Sequence, residues 1–178
     1  TGLGRRIAFI IMHAIGHRTL NLAYALAISD LIISPATPSV TARSGGIIFP
    51  IAKSLAVAFG SEPGESSKKM GAFLIQSVTH VSMVTSAMFM TSQAGNTLVV
   101  ALAQKTLNYQ VDWLLWIKAS IVPGAISLLL VPYLLYRFYP PEIKETPEAK
   151  LIAKKELEQL GPMKTSEKIL TFVFISSL

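Results

Sequence analysis

Apolar stretches dominate the chain, and short polar stretches interrupt them at unequal intervals. Two apolar arms, Thr19–Ser34 and Gly46–Phe59, flank the segment SPATPSVTARSGGIIFP (Ser34 to Pro50), which mixes prolines, a glycine pair, hydroxyls and an arginine. Each arm is roughly 15 residues, about 22 Å as a helix. The hydrocarbon core of a bilayer is about 30 Å thick, so neither arm spans it comfortably. The pattern predicts a re-entrant hairpin over about 19–59, with a pair of full spans as the alternative. Met70–Gln104 is apolar again, but as one helix it would run to about 52 Å. TSQAGNT (Thr91–Thr97) offers a break, which predicts a broken helix over about 70–104. Gly2–Gly16 is a shorter apolar piece headed by Arg5 and Arg6, either the end of a span or an interfacial helix.

Val111–Phe138 reads as one full span, about 111–137. Trp113 and Trp116 would mark one interface, and Tyr133, Tyr136, Tyr139 and Arg137 the other. Pro123 and Pro132 would kink it, as membrane helices tolerate. Residues 138–168 form a polar linker, whose PEAKLIAKKELEQL favours a helix lying on the membrane or simply solvated. Residues 169–178 would begin a further transmembrane helix. The expected organisation is a membrane region over 1–137, the linker over 138–168 and that new helix, all within a longer protein.

Composition strengthens the membrane reading. Of 178 residues, 51% are hydrophobic and 15% charged, and the mean hydropathy is +0.51. A soluble chain so composed would expose large apolar patches. The absence of cysteine excludes disulfides, thiolate zinc sites and thiol catalysis. The net charge of +6 is scattered at the ends of apolar segments, which argues against a nucleic-acid surface. Arg18, Lys68, Lys69, Arg137 and the Lys-rich linker fall on one side in either topology, which marks that side as cytoplasmic.

Paired interrupted segments are the sequence mark of a transporter site. The start of the second arm, near Ser44–Gly46, is expected to be a half-helix N-terminus that suits a carboxylate. Hydroxyls of Thr37, Ser39 and Thr41, with loop carbonyls, could coordinate a hard cation such as sodium. No metal-protease, phosphate-loop or triad motif is present, so an enzyme is not expected.

TPSVTARSGGIIFPI resembles the TPSNTxRxGGxxFPI hairpin tip of the divalent anion/sodium symporter family. TSAMFMTSQAGNTL (Thr85–Leu98), PYLLYRFYPPEI (Pro132–Ile143) and ELEQLGPMKTSEK echo later family motifs in the same order. The likeness is strongest to the exchanger branch, the bacterial citrate/succinate antiporters and plastid 2-oxoglutarate/malate translocators.

The resemblance implies an all-α membrane fold, an inverted-repeat elevator-type transporter of which this chain is most of the first repeat. It implies transport of di- or tricarboxylates (malate, succinate, 2-oxoglutarate or citrate), by exchange or with sodium. It implies a homodimer in membrane lipid, in a bacterial inner membrane or organelle inner envelope. Site residues carried over are Thr37, Ser39, Thr41, Arg43, Gly45, Gly95 and Asn96, with sodium as the one candidate ion at Ser39, Thr41 and Gly95. Val40 departs from the family's Asn, and Thr97 from a common Pro. A valine can neither donate to a carboxylate nor offer a carbonyl, so position 40 either alters coupling or leaves binding to the backbone. A non-transporting membrane module is the competing class, and a soluble acyl-binding enzyme a distant third.

Several residues carry two readings. Arg43 is either a counter-charge for the substrate, or for a missing sodium, or a structural partner of a carboxylate or carbonyls. Asp30, an ionisable group inside an apolar arm, is either a functional candidate or a structural ion pair or cavity-facing group. Thr79, Ser82 and Ser86 share helical spacing with His80 nearby, which suggests polar packing between helices rather than a proton relay. His13 and His17 lack a third ligand type for a metal.

Overall fold

The structure is a computed structural model that describes residues 2–176, the side chain of residue 174 excepted. The described residues form eight α-helices joined by turns and three irregular helical pieces, with no strand beyond a lone bridge between Arg18 and Glu145. The helices are α1 (Leu3–Ile15), α2 (Thr19–Ile33), α3 (Phe49–Ala58), α4 (Gly71–Met88), α5 (Ala94–Leu107), α6 (Trp113–Phe138), α7 (Glu148–Leu160) and α8 (Thr165–Ser176). By length and hydropathy two helices could cross a membrane, Thr19–Ala36 and Trp113–Phe138. The last two residues of the expected 169–178 helix lie outside the described residues.

Helix α4 is central, with α2, α3 and α6 packed along it, while α1 packs on α2 and α7. The core between them is built from Phe9, Met12, Leu22, Leu26, Leu55, Phe73 and Leu74, with alanines such as Ala23, Ala25 and Ala52 allowing close approach. A second cluster joins Ala27 of α2, Val81 and Met88 of α4, Phe89 and Leu128 of α6. Gly124 lets α6 sit against the end of α4: a Cβ there would meet Met88 Cγ at 2.4 Å. The other end of α6 meets the start of α4, where Tyr136 and Phe73 stack edge to face at 5.7 Å.

The start of the α2–α3 hairpin and the turn leading into α4 meet one segment, 142–146. The Thr19 amide donates to Lys144 O and its hydroxyl to Ile143 O, while Thr146 N donates to His17 O. At the turn, Glu142 N and Ile143 N donate to Lys68 O and Lys69 O, just before α4 begins. Ser61, just past α3, accepts from Gly71 N at 2.9 Å. The hairpin base and the start of α4 therefore share one end of the molecule.

Three expectations gain detail. Residues 3–15, read as the end of a span or an interfacial helix, form α1, which buries Ala8, Phe9 and Met12 in the core. The linker helix α7 is not merely solvated. Ala149 and Ala153 are fully enclosed against α1, and Arg5 pairs with Glu156 at 3.1 Å. Trp116, expected at one interface, also ties α6 to α4: its indole N–H donates to Ala87 O at 3.0 Å. A broken helix leaves its last carbonyls without partners, and α6 supplies donors to two of them: Trp116 to Ala87 and Ser120 to Met88 O at 2.6 Å.

Candidate functional site

The hairpin tip begins where α2 tightens into a 3-10 turn at Ser34–Ala36, with Pro35 barring a longer helix. Residues 37–39 are non-helical. Winding resumes at Val40 and runs through a π-helical stretch, Thr41–Ile48, into α3. The helix start thus lies four residues or more before the expected Ser44–Gly46. Ser39 explains the shift: its Oγ accepts from Ala42 N at 3.3 Å and its carbonyl from Arg43 N at 3.0 Å. That caps a new helix, and Gly45 and Gly46 fall inside the widened turns instead of opening them.

The second interruption is Phe89–Gln93, ahead of the expected Thr91–Thr97. Gly95, Asn96 and Thr97 lie in the first turn of α5. Asn96 is buried, and its amide donates to Ser86 O at 2.7 Å and Phe89 O at 2.9 Å. Its Oδ1 accepts from Gln93 Nε2 at 2.9 Å. Ser92 is fully buried and donates to Phe89 O at 2.8 Å. The end of α4 is thus satisfied by polar side chains of the break itself. Thr97 bonds its own helix, donating to Ala94 O.

Arg43 joins the two interruptions. Its side chain is 0% exposed, and its Nε donates to Asp30 Oδ1 at 2.9 Å across the hairpin. Nη1 donates to Thr37 O and to Ser92 O, each at 3.3 Å. Nη2 donates to Thr85 Oγ1 at 3.2 Å and to Ser82 O at 3.5 Å. Thr85 donates in turn to the other oxygen of Asp30. All the guanidinium donors are spent inside the protein, so Arg43 and Asp30 form a structural pair, the second of the two readings open for each. Thr91 Oγ1 to Pro35 O at 2.7 Å and Ser34 Oγ to Thr85 O at 3.0 Å add further ties. Thr85, Ser92 and the Asp30 partnership were not among the site residues read from sequence; the only signal was a lone acid in one arm and a lone base at the tip.

The remaining candidates divide. Ser39, Thr41 and Gly45 are exposed and Thr37 half-buried, together around the helix start at the tip. Gly95 is exposed at the start of α5, beside the Ser92 that Arg43 ties to Thr37. Asn96 faces inward and shares no bond with the tip. The arrangement presents two helix N-termini, fixed side by side, whose free N–H groups carry partial positive charge. Of the α4 polar residues, Ser82 and Ser86 are buried, while Thr79 and His80 are exposed. Among the described residues no group of His, Asp and Glu could hold a metal ion.

The chain matches the family model described as the sodium:sulfate symporter transmembrane region over residues 1–178. It is 48% identical over 176 residues to the protein named "Putative malate transporter YflS" of Bacillus subtilis, covering 98% of this chain and 37% of that protein. It is 47% identical over 178 residues to the inner membrane protein YbhI of Escherichia coli, covering 100% of this chain and 37% of that one. It is 43% identical over 176 residues to the chloroplastic dicarboxylate transporter 1 of Spinacia oleracea, covering 98% and 31%. The chain thus spans about a third of the length of these relatives.

Proposed function

The chain belongs to the sodium:sulfate symporter family, the divalent anion/sodium symporters, and on that premise we propose that it carries one half of the carboxylate site of a secondary transporter. The substrates are small di- or tricarboxylates such as malate, a class consistent with the names of the relatives. The observation that carries the reading is the helix start at the tip, with the exposed hydroxyls of Ser39 and Thr41, held against the start of α5 by the enclosed Arg43. A carboxylate entering there exchanges its hydration for backbone N–H groups and hydroxyls at positive helix ends. Because Asp30 neutralises Arg43, the attraction comes from those helix ends, and Arg43 serves to hold the two loops in register. A second hairpin elsewhere in the protein completes the site by inverted repeat, alternating access carries it across the bilayer, and two copies form a dimer in lipid.

Exchange is the mode this tip supports. A sodium ion would be held by the hydroxyls of Ser39 and Thr41 and the backbone at Gly95. Neutral oxygens of this kind can ligate sodium, but one lone pair of Ser39 Oγ is already spent on Ala42 N. The carboxylate at the tip, Asp30, is committed to Arg43 and Thr85. Val40 adds no polar group.

The test is counterflow in proteoliposomes holding the full-length protein. Labelled malate should enter vesicles preloaded with a dicarboxylate and not empty ones. Uptake into empty vesicles driven by a sodium gradient would replace exchange with symport, and no uptake under either condition would overturn transport.

A further inference from the structure

The outer faces of α6 and of the α3–α4 pair differ in chemistry. Between Ala119 and Leu130 every exposed residue of α6 is apolar, including Ile121, Val122, Ile126 and Leu129. That is the surface expected against lipid tails. The surface of α3 and α4 is mixed: beside the exposed Phe49, Val57 and Met83 it presents Lys53, Ser54, Gln76, Thr79 and His80. Thr79 and His80 bond carbonyls of their own helix, at Ile75 and Gln76. Lys53 has no such recourse: among the described residues it makes neither an ion pair nor a hydrogen bond. It lines a groove of about 340 Å³ between α3 and α4, with Phe49, Val57, Ala72 and Ile75, that opens at the polar loop carrying Ser61 and Glu62.

Position gives this lysine its meaning. Lys53 stands twelve residues beyond Thr41 and seven before Gly60, about 18 Å and about 10 Å along the helix. It therefore lies between the carboxylate-binding tip and the side bearing Lys68 and Lys69, nearer the latter. An ammonium in hydrocarbon is costly and faces a partner or a water-filled cavity instead. We propose that the outer face of α3 and α4 is a wall of a water-filled path from the basic side to the tip, and that Lys53 is a waypoint attracting the carboxylate along it. The inference rests on the carboxylate reading above. The cation on this wall complements the charge of the anion, and a fixed charge beside low-dielectric apolar walls attracts the opposite ion, with the acid of the groove, Glu62, at its mouth on the polar loop.

The test has two arms, both in the full-length protein. In a background whose other cysteines are removed, Ser54→Cys and Val57→Cys should react with an anionic, membrane-impermeant methanethiosulfonate. Leu129→Cys on α6 should stay inert. Equal inertness at all three positions would overturn the path, whether lipid or protein covers the face. In the second arm, Lys53→Gln should raise the KM for malate about tenfold with kcat little changed, most at low ionic strength. Lys53→Arg should stay near the parent. An unchanged KM in Lys53→Gln would overturn the waypoint. Failure of the parent to transport any carboxylate would sink the proposed function and with it the anion's use of the path, while the labelling pattern would still report whether the face is wet.

Discussion

The tip and the break are both interruptions of helices at the same level of the molecule, yet they spend their polar groups in opposite ways. The break turns its side chains inward: Ser92 and Asn96 are buried and bonded to the orphan carbonyls of α4. The tip turns its hydroxyls outward, leaving Ser39 and Thr41 exposed at a helix start. The difference follows from polarity of the ends. The break must satisfy a helix C-terminus, whose carbonyls need donors. The tip opens a helix whose N–H groups can wait for an anion. On the proposed reading one interruption serves stability and the other binding, and Arg43 with Asp30 is the joint between them.

The sharpest way to break this division is at the joint. Arg43→Ala or Asp30→Asn should cost about 3–5 kcal/mol, because each leaves a buried partner uncompensated. Thermal melting in detergent should drop for both, with transport lost. The double replacement Asp30→Leu with Arg43→Met should melt higher than either single change while still failing to transport, since the loops lose their tether. A double variant that transports normally would remove the joint from the argument.

Asn96→Ala comes next. It frees the carbonyls of Ser86 and Phe89 in a buried site, at about 1–3 kcal/mol, and should lower the melting temperature. Gly124→Ala should cost a comparable amount by overpacking, because its new methyl meets the Met88 side chain. Both act on the break side.

Thr41→Ala should do the reverse. As an exposed surface change it should leave stability within about 0.5 kcal/mol while raising the KM for the anion. A melting shift as large as that of Asn96→Ala would erase the contrast.

The mildest probe lies away from both loops. Glu167 is held below its ordinary value of 4.5, first by the Lys164 backbone N–H and then by Arg6, while burial pulls the other way. A lowered folded value adds stability that is present above about pH 4.5 and lost as pH falls through the lower value. The protection of α8 amides, after correction for the intrinsic pH dependence of exchange, should fall below pH 4.5 and stay level between pH 7 and 5. Glu167→Gln should show the reduced protection at neutral pH.

Much of this layout was legible in the residues. Hydropathy alone marked two interrupted regions and a long span at Val111–Phe138, and the helices lie where the apolar runs do. The exact starts were not legible, because Gly45–Gly46 and Gly95 look like breakers. Whether a glycine ends a helix depends on what caps it nearby, here Ser39 and the Ser92–Asn96 pair. The inward turn of Asn96 was equally hidden: an amide near a break suits a ligand or an orphan carbonyl, and only three-dimensional placement decides. The bond made by the Trp116 indole was hidden for the same reason, since its partner Ala87 is on another helix. The Arg43–Asp30 pair was visible only as two charges of opposite sign in apolar surroundings.

The segment 142–146 has a consequence for how the protein is made. It holds the base of a hairpin whose first helix begins at Thr19, so the clamp is synthesised long after what it clamps. At about 5–20 residues per second, the hairpin waits roughly 6–25 seconds for Thr146 to follow Arg18 off the ribosome. During that interval Asp30 and Arg43 are already available to each other, only 13 residues apart. The tip can therefore close before its base, and a chain halted before residue 142 would carry a joined tip on an unfastened stem.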